Sequence, residues 1–479
     1  MSKTPGIAER VRRIDGHTFN EIEGMTYFNG TTMKTYRDAD LKYDLKYGWL
    51  EYASLGYEVK MQPRIKVDEV QYAAAVRETQ HWHDVAMMIQ AGDEPMTRKE
   101  MLTRPDKQEW IDAEQAELQA LRRLNCWERV PRSAATKKPL NCGFVYKQKP
   151  AAPPLPARKK ARLCIKGWNE DVSNVETFAP VVRMETVRAA INHAAHEGLE
   201  LWSADVMSAY ILSPLQSGQE VYMNDPEDPK GDHVLKLKKA LYGLKSSARA
   251  WNDHFHKWIT QRGFRRSSED YGMYTRGIGK ERIVVLIFVD DAMTICHQDT
   301  LGAWKQEFKD GWEIRDYGEP KTFLGCDISR DRKNNRIKLF QQTYIESIAK
   351  RLQLDHSHPV HTPFEPNQVL TANDGSPPAD SSEYRSIVGM LMYAVTMSRF
   401  DCAYQVKELA RHLTSPTQQH MKAARRVVRY LYHSRHRGVI FNRSNEQLVG
   451  YSDSNFCNCV DTRRSTGGYV CMLYGCALL

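Results

Sequence analysis

The sequence predicts an α+β fold of about three domains at ~150 residues each. Three observations lead there. Seven apolar residues, Ile283 to Val289, are followed by Asp290 and Asp291 and then by a second apolar run, Ala292 to Cys296. A strand, a tight acidic turn and a returning strand make a β-hairpin with its charges at the tip. Elsewhere, segments with apolar residues at three- and four-residue steps stand among short strand-like runs. The 479 residues, 41% hydrophobic and 10% aromatic, suffice to bury real cores.

Two adjacent carboxylates at the end of an apolar hairpin repel each other and resist desolvation. A divalent cation is the usual reason to hold them together. The plain alternative is a solvated Asp-Asp turn, since turns favour Asp. A third carboxylate and a nucleotide site elsewhere in the chain decide between the two.

The balance of 68 Lys+Arg against 59 Asp+Glu leaves a formal charge of +9, which suits a polyanionic partner. The excess is uneven. Thr136 to Val172 holds nine Lys/Arg and two acids, and Ala403 to Ile440 holds eight Lys/Arg, one acid and four His. Such segments can line a nucleic-acid channel or form solvated faces. The ten cysteines are scattered without Cys-x-x-Cys, and Cys457-Asn-Cys459 lacks a partner pair, so they read as reduced thiols of an intracellular protein. The first residues do not read as a signal peptide, and no apolar run approaches ~18 residues, so no membrane partner is expected.

Residues 1 to 95 are polar, tyrosine-rich and weakly periodic, and read as a tether; His81 and His83 have no further ligand nearby. From Thr97 the pattern turns helical. Pro105 opens a helix that carries Trp110, Ala113, Glu114, Glu117, Leu118 and Leu121 and ends near Asn125. Cys126–Val130 and Gly143–Lys147 read as strands. After a proline-rich insert, Pro150 to Pro156, the stretch Arg158–Gly167 alternates cations with apolar residues. It reads as a half-buried strand presenting Lys160 and Arg162 on one face, where fixed cations can bind phosphates. Thr186–His196 is helical, with His193 and His196 an ordinary exposed pair. Leu199–Ala204 runs as a strand into Asp205, with Tyr210 five residues on. Glu220–Met223 is a strand, and Leu235–Gly243 leads into a helix carrying Trp251, Phe255, Trp258 and Ile259.

Beyond the acidic hairpin comes a helix, Thr300–Gly311, then a hairpin formed by Phe323–Ile328 and Arg336–Phe340. A helix, Tyr344–Leu352, follows, and His356, His358 and His361 fall in a linker. Residues 362–382, rich in Pro, Gly and Ser, mark a boundary. Tyr384–Met397, Asp401–Leu413 and Thr417–Ser434 are helices, the last bearing Arg425, Arg426 and Arg429. Leu448–Asp453 and Gly467–Leu473 are strands, and the chain stops in apolar residues, which reads as a truncated domain with an unpaired, aggregation-prone edge.

Taken in this order, the pieces resemble the reverse transcriptase of copia/Ty-type (Pseudoviridae) retrotransposon Pol polyproteins, from about Glu94 onward. The carriers are Lys160-Ala-Arg-Leu163, Glu176-Thr-Phe-Ala-Pro-Val181, Asp205 to Tyr210, Glu220-Val-Tyr-Met223, Leu237-Lys-Lys-Ala-Leu-Tyr-Gly-Leu244, Phe288-Val-Asp-Asp291, Phe323-Leu-Gly325, Tyr384-Arg-Ser-Ile-Val-Gly389, Ala423-Ala-Arg-Arg-Val427 and Val449-Gly-Tyr-Ser-Asp453.

The resemblance implies a right-hand polymerase. Residues 1–95 are then a tether and 96–362 the reverse transcriptase, with its palm in 199–215 and 244–325 and its thumb in about 326–362. Residues 363–445 are a helical connection, and 446–479 an incomplete RNase H-like sheet. By the same resemblance Asp205, Asp290 and Asp291 are the catalytic, metal-holding carboxylates. Lys160, Arg162 and Tyr210 serve the nucleotide, with Tyr210 beneath its sugar and excluding a 2′-OH. Phe288, Phe323, Leu324 and Gly325 touch primer or template. Two Mg²⁺ ions ~4 Å apart, with Mn²⁺ as a substitute, would serve the chemistry. The implied partners are an RNA template, a DNA primer and dNTPs; the implied setting is cytoplasmic, in virus-like particles, or nuclear.

The sequence also departs from the family. Ser246-Ser-Ala248 stands where Gln-Ala-Pro is common, and Leu212-Ser-Pro214 where Leu-Asn-Gly is usual. Asp453 matches the first RNase H acid, but Ser454-Asn-Phe-Cys-Asn458 is altered and the remaining acids would lie past Leu479, so no RNase H cleavage is expected. Integrase and protease segments are not found upstream, which reads as a Pol fragment or decayed copy. The rival readings are an inactive relic that at most binds nucleic acid, and a metal-dependent nucleotide cyclase with a similar acidic hairpin. The cyclase leaves Leu241-Tyr-Gly-Leu244 unexplained.

Overall fold

The computed structural model describes residues 94–149, 157–173 and 175–478, together with the backbone of three strands, β1 (Glu9–Ile14), β2 (His17–Ile22) and β3 (Met25–Phe28). These three pair as an antiparallel meander, so the stretch expected to be a plain tether carries a small sheet. The rest of residues 1–93, with His81 and His83, and the Pro150–Pro156 insert lie outside the described residues.

Helix α1 (Arg98–Thr103) is capped by Thr97, whose hydroxyl accepts from the Glu100 amide. Helix α2 (Lys107–Arg123) buries Trp110, Glu114, Leu118 and Leu121, a stripe at three- and four-residue steps. After β4 (Trp127–Pro131), the strands β5 (Cys142–Lys149) and β6 (Arg158–Ile165) pair as an antiparallel hairpin. Along β6, Ala161, Leu163 and Ile165 are buried, which turns Lys160 and Arg162 to the other face as the alternation predicts.

Helix α3 (Met184–Glu197) precedes β7 (Glu200–Val206) and the short helix α4 (Ala209–Leu212). Strands β8 (Tyr222–Asn224) and β9 (His233–Leu237) join β4 in a three-stranded sheet. Helix α5 (Ser247–Thr260), β10 (Arg265–Arg266) and β11 (Met273–Arg276) lead to the acidic hairpin, β12 (Ile283–Phe288) and β13 (Asp291–Cys296). Helix α6 (Gln298–Gly311) and β14 (Ile314–Gly318) follow.

The hairpin is the middle of a six-stranded antiparallel sheet, in the order β10-β11-β12-β13-β7-β14. Both of its faces are buried, which is why Ile283 to Val289 reads as one apolar run. Val284, Leu286, Met293, Ile295 and Leu201 face one core with α3. Ile283, Val285, Ile287, Ala292 and Trp202 face another, in which Trp251 and Phe255 of α5 meet Trp304 and Phe308 of α6. The rings there meet edge to face, Trp251 on Trp312 at 5.0 Å and Trp304 on Phe308 at 5.4 Å.

A second sheet runs β15 (Thr322–Phe323), β16 (Cys326–Asp331), β17 (Arg336–Phe340) and, later in the chain, β18 (Gly438–Phe441). The single hairpin expected here is thus two. Leu324 (φ +48°) and Gly325 (φ +72°) make a tight turn of their own. Helix α7 (Gln342–Arg351) is followed by three helices close to the expected bounds: α8 (Ser381–Met397), α9 (Ala403–Ala410) and α10 (Gln418–His433).

Residues 362–382 do not separate two cores. Phe364 and Leu370 are buried in the same core as α3, α8 and α10. The Asp374 carboxylate accepts from the Thr417 hydroxyl, and the Ala379 amide donates to the Pro416 carbonyl. The C-terminal strands β19 (Val449–Ser454), β20 (Gly467–Leu473) and β21 (Cys476–Ala477) pair antiparallel, so β20 is not left half-paired. Leu473, Tyr474, Cys476 and Leu478 enter the same core.

Helix α3 makes that join. Buried Arg188 donates to the carbonyls of Leu478 (2.5 Å), Thr396 (2.8 Å) and Met397 (3.3 Å), and Asn192 Nδ2 to that of Leu473 (2.6 Å). The His193–His196 pair, expected to be exposed, is part of it: His193 is buried, and His196 stacks on Tyr474 at 3.8 Å. All ten cysteines are free thiols. No helix among the described residues is long and apolar enough to cross a membrane.

Candidate active site

The sheet register assembles the acids. Asp291 lies directly opposite Asp205, Phe288 opposite Asp291, and Arg315 opposite Asp205 on its other side. Directly opposed residues of antiparallel strands share a face. Phe288, Asp291, Asp205 and Arg315 therefore form one row across β12, β13, β7 and β14. Asp290 stands at the adjoining turn, where its carbonyl accepts from the Val206 amide at 2.8 Å.

That turn is strained. Only Val289 and Asp290 link the two strands, and Val289 has φ +57°, a region that β-branched residues avoid. Trp251 Nε1 donates to the Val289 carbonyl at 2.5 Å, and the Val289 side chain packs on the aromatic core. Local strain of about 1–3 kcal/mol is thereby held in place by the core beneath it.

The electrostatics fit a cation site. Burial, then Asp290, then Asp205 push the Asp291 carboxyl up to about 7. Asp205 is also raised, by burial and by Asp290, while Arg315, Arg162 and Lys160 pull it down. The cations of β6 thus reach the field of the acids on β7. Crowded carboxylates that resist ionising together are eased by a divalent cation, and hard oxygen donors suit Mg²⁺. Asp205, Asp290 and Asp291 are the residues that would hold it. Among the described residues, no group of three or more acid, imidazole or thiol side chains, this triad included, is drawn together tightly enough to hold a metal ion as it stands.

Beside the acids, the Arg162 guanidinium lies over the Tyr242 ring at 4.8 Å, and Tyr210 meets Tyr242 edge-on at 5.5 Å. Arg162 Nε is buried without a hydrogen-bond partner. The Glu117 carboxylate accepts from the Leu163 amide at 3.4 Å and feels both Lys160 and Arg162. Leu241-Tyr-Gly-Leu244 is what brings Tyr242 there. Its Tyr242 carbonyl accepts from the Ile165 amide at 2.7 Å, and Gly243 has φ +90°. A Cβ on Gly243 would sit 2.1 Å from the Ile165 carbonyl oxygen, and one on Gly167 2.1 Å from that of Gly243. Only glycines allow this contact.

The structure brings Asp205, Asp290, Asp291, Lys160, Arg162, Tyr210 and Phe288 into one neighbourhood. Phe323 and Leu324 differ from the expected primer contacts, because their side chains are buried in the core. The Leu324 carbonyl accepts from the Tyr393 hydroxyl at 2.6 Å, and Gly325 packs under the same Tyr393. Their turn can offer a primer only backbone. Asp453 is exposed on β19, where its carboxylate accepts from the Ser454 amide. Arg425, Arg426 and Arg429, in the basic segment read as either a channel lining or a solvated face, bind Glu383, Glu365 and the His358 carbonyl.

The Ser246 substitution has a local role. Its hydroxyl donates to buried Glu170 at 2.6 Å, and Gln219 donates to both Glu170 and Ser246. Sequence reasoning assigned no role to Glu117, Tyr242, Trp251 or Arg315. The first three stand in segments already singled out as helix or motif. Arg315 carries no local signal, since only the register places it.

A family model described as reverse transcriptase (RNA-dependent DNA polymerase) matches residues 125–366. The chain belongs to this family. It is 29% identical over 406 residues to the retrovirus-related Pol polyprotein from transposon TNT 1-94 of Nicotiana tabacum, covering 82% of this chain and 30% of that protein. It is 30% identical over 404 residues to the Pol polyprotein from transposon RE1 of Arabidopsis thaliana, covering 82% and 27%. A putative transposon Ty5-1 protein of Saccharomyces cerevisiae is 31% identical over 278 residues, covering 57% of this chain and 89% of that protein. These matches support the resemblance to the reverse transcriptase region of copia-type retrotransposons. The chain spans under a third of the two plant polyproteins.

Proposed function

We propose that this chain is the polymerase region of an RNA-directed DNA polymerase, which adds dNTPs to the 3′-OH of a DNA primer on an RNA template. The observation that carries this is the row Phe288–Asp291–Asp205, with Asp290 at its turn. In this reading β5–β6 belongs to the fingers, 199–215 and 244–325 to the palm, and 326–362 to the thumb. Residues 363–445 connect, and 446–479 form an RNase H-like segment whose part here is structural.

Two Mg²⁺ ions, or Mn²⁺ in their place, held by Asp205, Asp290 and Asp291, would supply charge neutralisation at the attacking and leaving oxygens. The chain's own side chains do the rest. Lys160 and Arg162 grip the triphosphate as cations fixed on a strand. Tyr242 holds the Arg162 guanidinium from below. Tyr210, braced edge-on by Tyr242, lies under the sugar and excludes a 2′-OH. Phe288 offers an apolar floor beside Asp291 for the primer end. The 322–326 turn steadies the primer through its backbone. The Asp291 carboxyl, raised to about 7, keeps its proton more readily until cations arrive. The site of action is the cytoplasm, within virus-like particles, or the nucleus.

Primer extension by the purified chain on an RNA template with dNTPs and Mg²⁺ tests the reading. The expected result is extension that Asp290→Asn abolishes. A folded, template-binding protein that extends nothing would favour the relic.

A further inference from the structure

Two large aromatic side chains on segments held at the start of α5 are left in solvent. Trp168 is 67% exposed just past the end of β6, and Phe178 is 53% exposed in the segment before α3. Scattered exposed aromatics are ordinary. These two differ because cations pin both segments. Lys245 Nζ donates to the Trp168 carbonyl at 3.1 Å and to that of Glu170 at 3.4 Å. Arg249 Nη1 donates to the Phe178 carbonyl at 3.3 Å. Lys245 stands just before α5 and Arg249 in its first turn, so both segments are held at the same end of that helix.

A third cation, Lys166, lies over the Trp168 ring at 5.8 Å. The base of the patch is rigid. Buried Glu170 accepts from the Lys245 amide (2.5 Å), the Ser246 hydroxyl (2.6 Å) and Gln219 Nε2 (3.1 Å). The neighbouring Gly167 and Gly243 lock this base to the loop bearing Tyr242.

We infer that Trp168 and Phe178, with Lys166 and Lys245, form a stacking platform for unpaired bases of a single-stranded nucleic acid entering the site; Arg249, paired with Asp253, only positions the Phe178 segment. The inference rests on the polymerase reading, to which it adds where the template's single strand is held. Exposed rings offer π-faces to any base, and the cations beside them track the phosphates. A duplex hides its base faces, so the platform distinguishes unpaired from paired template. The platform is sequence-tolerant, because every base has a face to stack.

The test is fluorescence anisotropy in EDTA with a labelled primer–template, either blunt or with a 5′ template overhang of about six nucleotides. Trp168→Ala and Phe178→Ala are each expected to weaken binding of the overhang substrate about tenfold. Both should leave the blunt duplex within about twofold, and Trp168→Tyr should restore most of the loss. Tyr271→Ala, an exposed aromatic flanking Arg266, should change neither substrate. Unchanged overhang binding by the alanine variants would overturn the inference. So would an equal loss on both substrates, or a loss that Tyr does not restore. Extension by the parent, read on the same oligonucleotides, separates the two readings. An active parent with unaffected variants sinks only the platform. An inactive parent whose variants lose overhang binding sinks only the polymerase.

Discussion

Replacing Trp251 with Phe would separate what holds the catalytic turn from what holds the fold. Trp251 is 2% exposed, and its Nε1 donates to the carbonyl of strained Val289 at 2.5 Å. Loss of that hydrogen bond costs about 1 kcal/mol. The smaller ring leaves a void worth about another 1 kcal/mol. A fall in stability of about 2 kcal/mol in urea unfolding is therefore expected.

Trp304→Phe is the control. Trp304 lies in the same core, fully buried, and donates to the Thr294 hydroxyl at 2.9 Å, away from the turn. It should lose a similar stability. The two should part in primer extension. Without its anchor the Val289–Asp290 turn shifts, and a sub-ångström shift of Asp290 and Asp291 should cost kcat about tenfold or more. Trp304→Phe should keep kcat near the parent's when assayed well below its melting point. Equal kcat losses in both variants, or full kcat in Trp251→Phe, would refute the claim that the core holds the turn.

Two further outcomes follow from the far side of the sheet. Arg188→Met strands the carbonyls of Leu478, Thr396 and Met397, the first and last of them buried, so urea unfolding should show a loss of about 3–5 kcal/mol; a loss under about 1 kcal/mol would mean that water replaces the guanidinium. His412 stacks on His420 at 3.9 Å, and burial, then His420 and Arg411, bring it down to about 4. The native state then binds fewer protons than the unfolded chain between pH ~6.5 and ~4, so stability is full above that window and falls as pH drops through it, by up to about 3 kcal/mol. His412→Phe should flatten that fall in urea midpoints taken at pH 5 and 7.5, and an unchanged pH dependence would assign it to other groups.

What was legible in the sequence followed local periods. The alternation on β6 faced Lys160 and Arg162 together, and the apolar run into Asp290 announced a strand buried on both sides. The helices came from their three- and four-residue steps. The failures were long-range. Helix α3 is buried on nearly all sides, so His193 and His196 looked like a surface pair in a pattern with no polar face to place them. Phe323-Leu-Gly325 reads alike whether its side chains face a primer or a core. The positive φ of Leu324 shows only in the fold. Proline and glycine in 362–382 report irregular backbone, which Phe364 and Leu370 can still anchor. Arg315 joins the acids through a pairing that no local pattern encodes.

In the proposed function Asp205, Asp290 and Asp291 are kept together for a cation and against stability. Asp291→Asn tests it most directly, with stability and extension measured on one preparation at pH 8. The Asp291 carboxyl, raised from 3.8 to about 7, makes its charged form unfavourable in the metal-free fold. Removing that charge should therefore raise stability by about 4 kcal/mol. The same change should abolish primer extension with Mg²⁺. A variant that is no more stable than the parent and still extends the primer would contradict the claim.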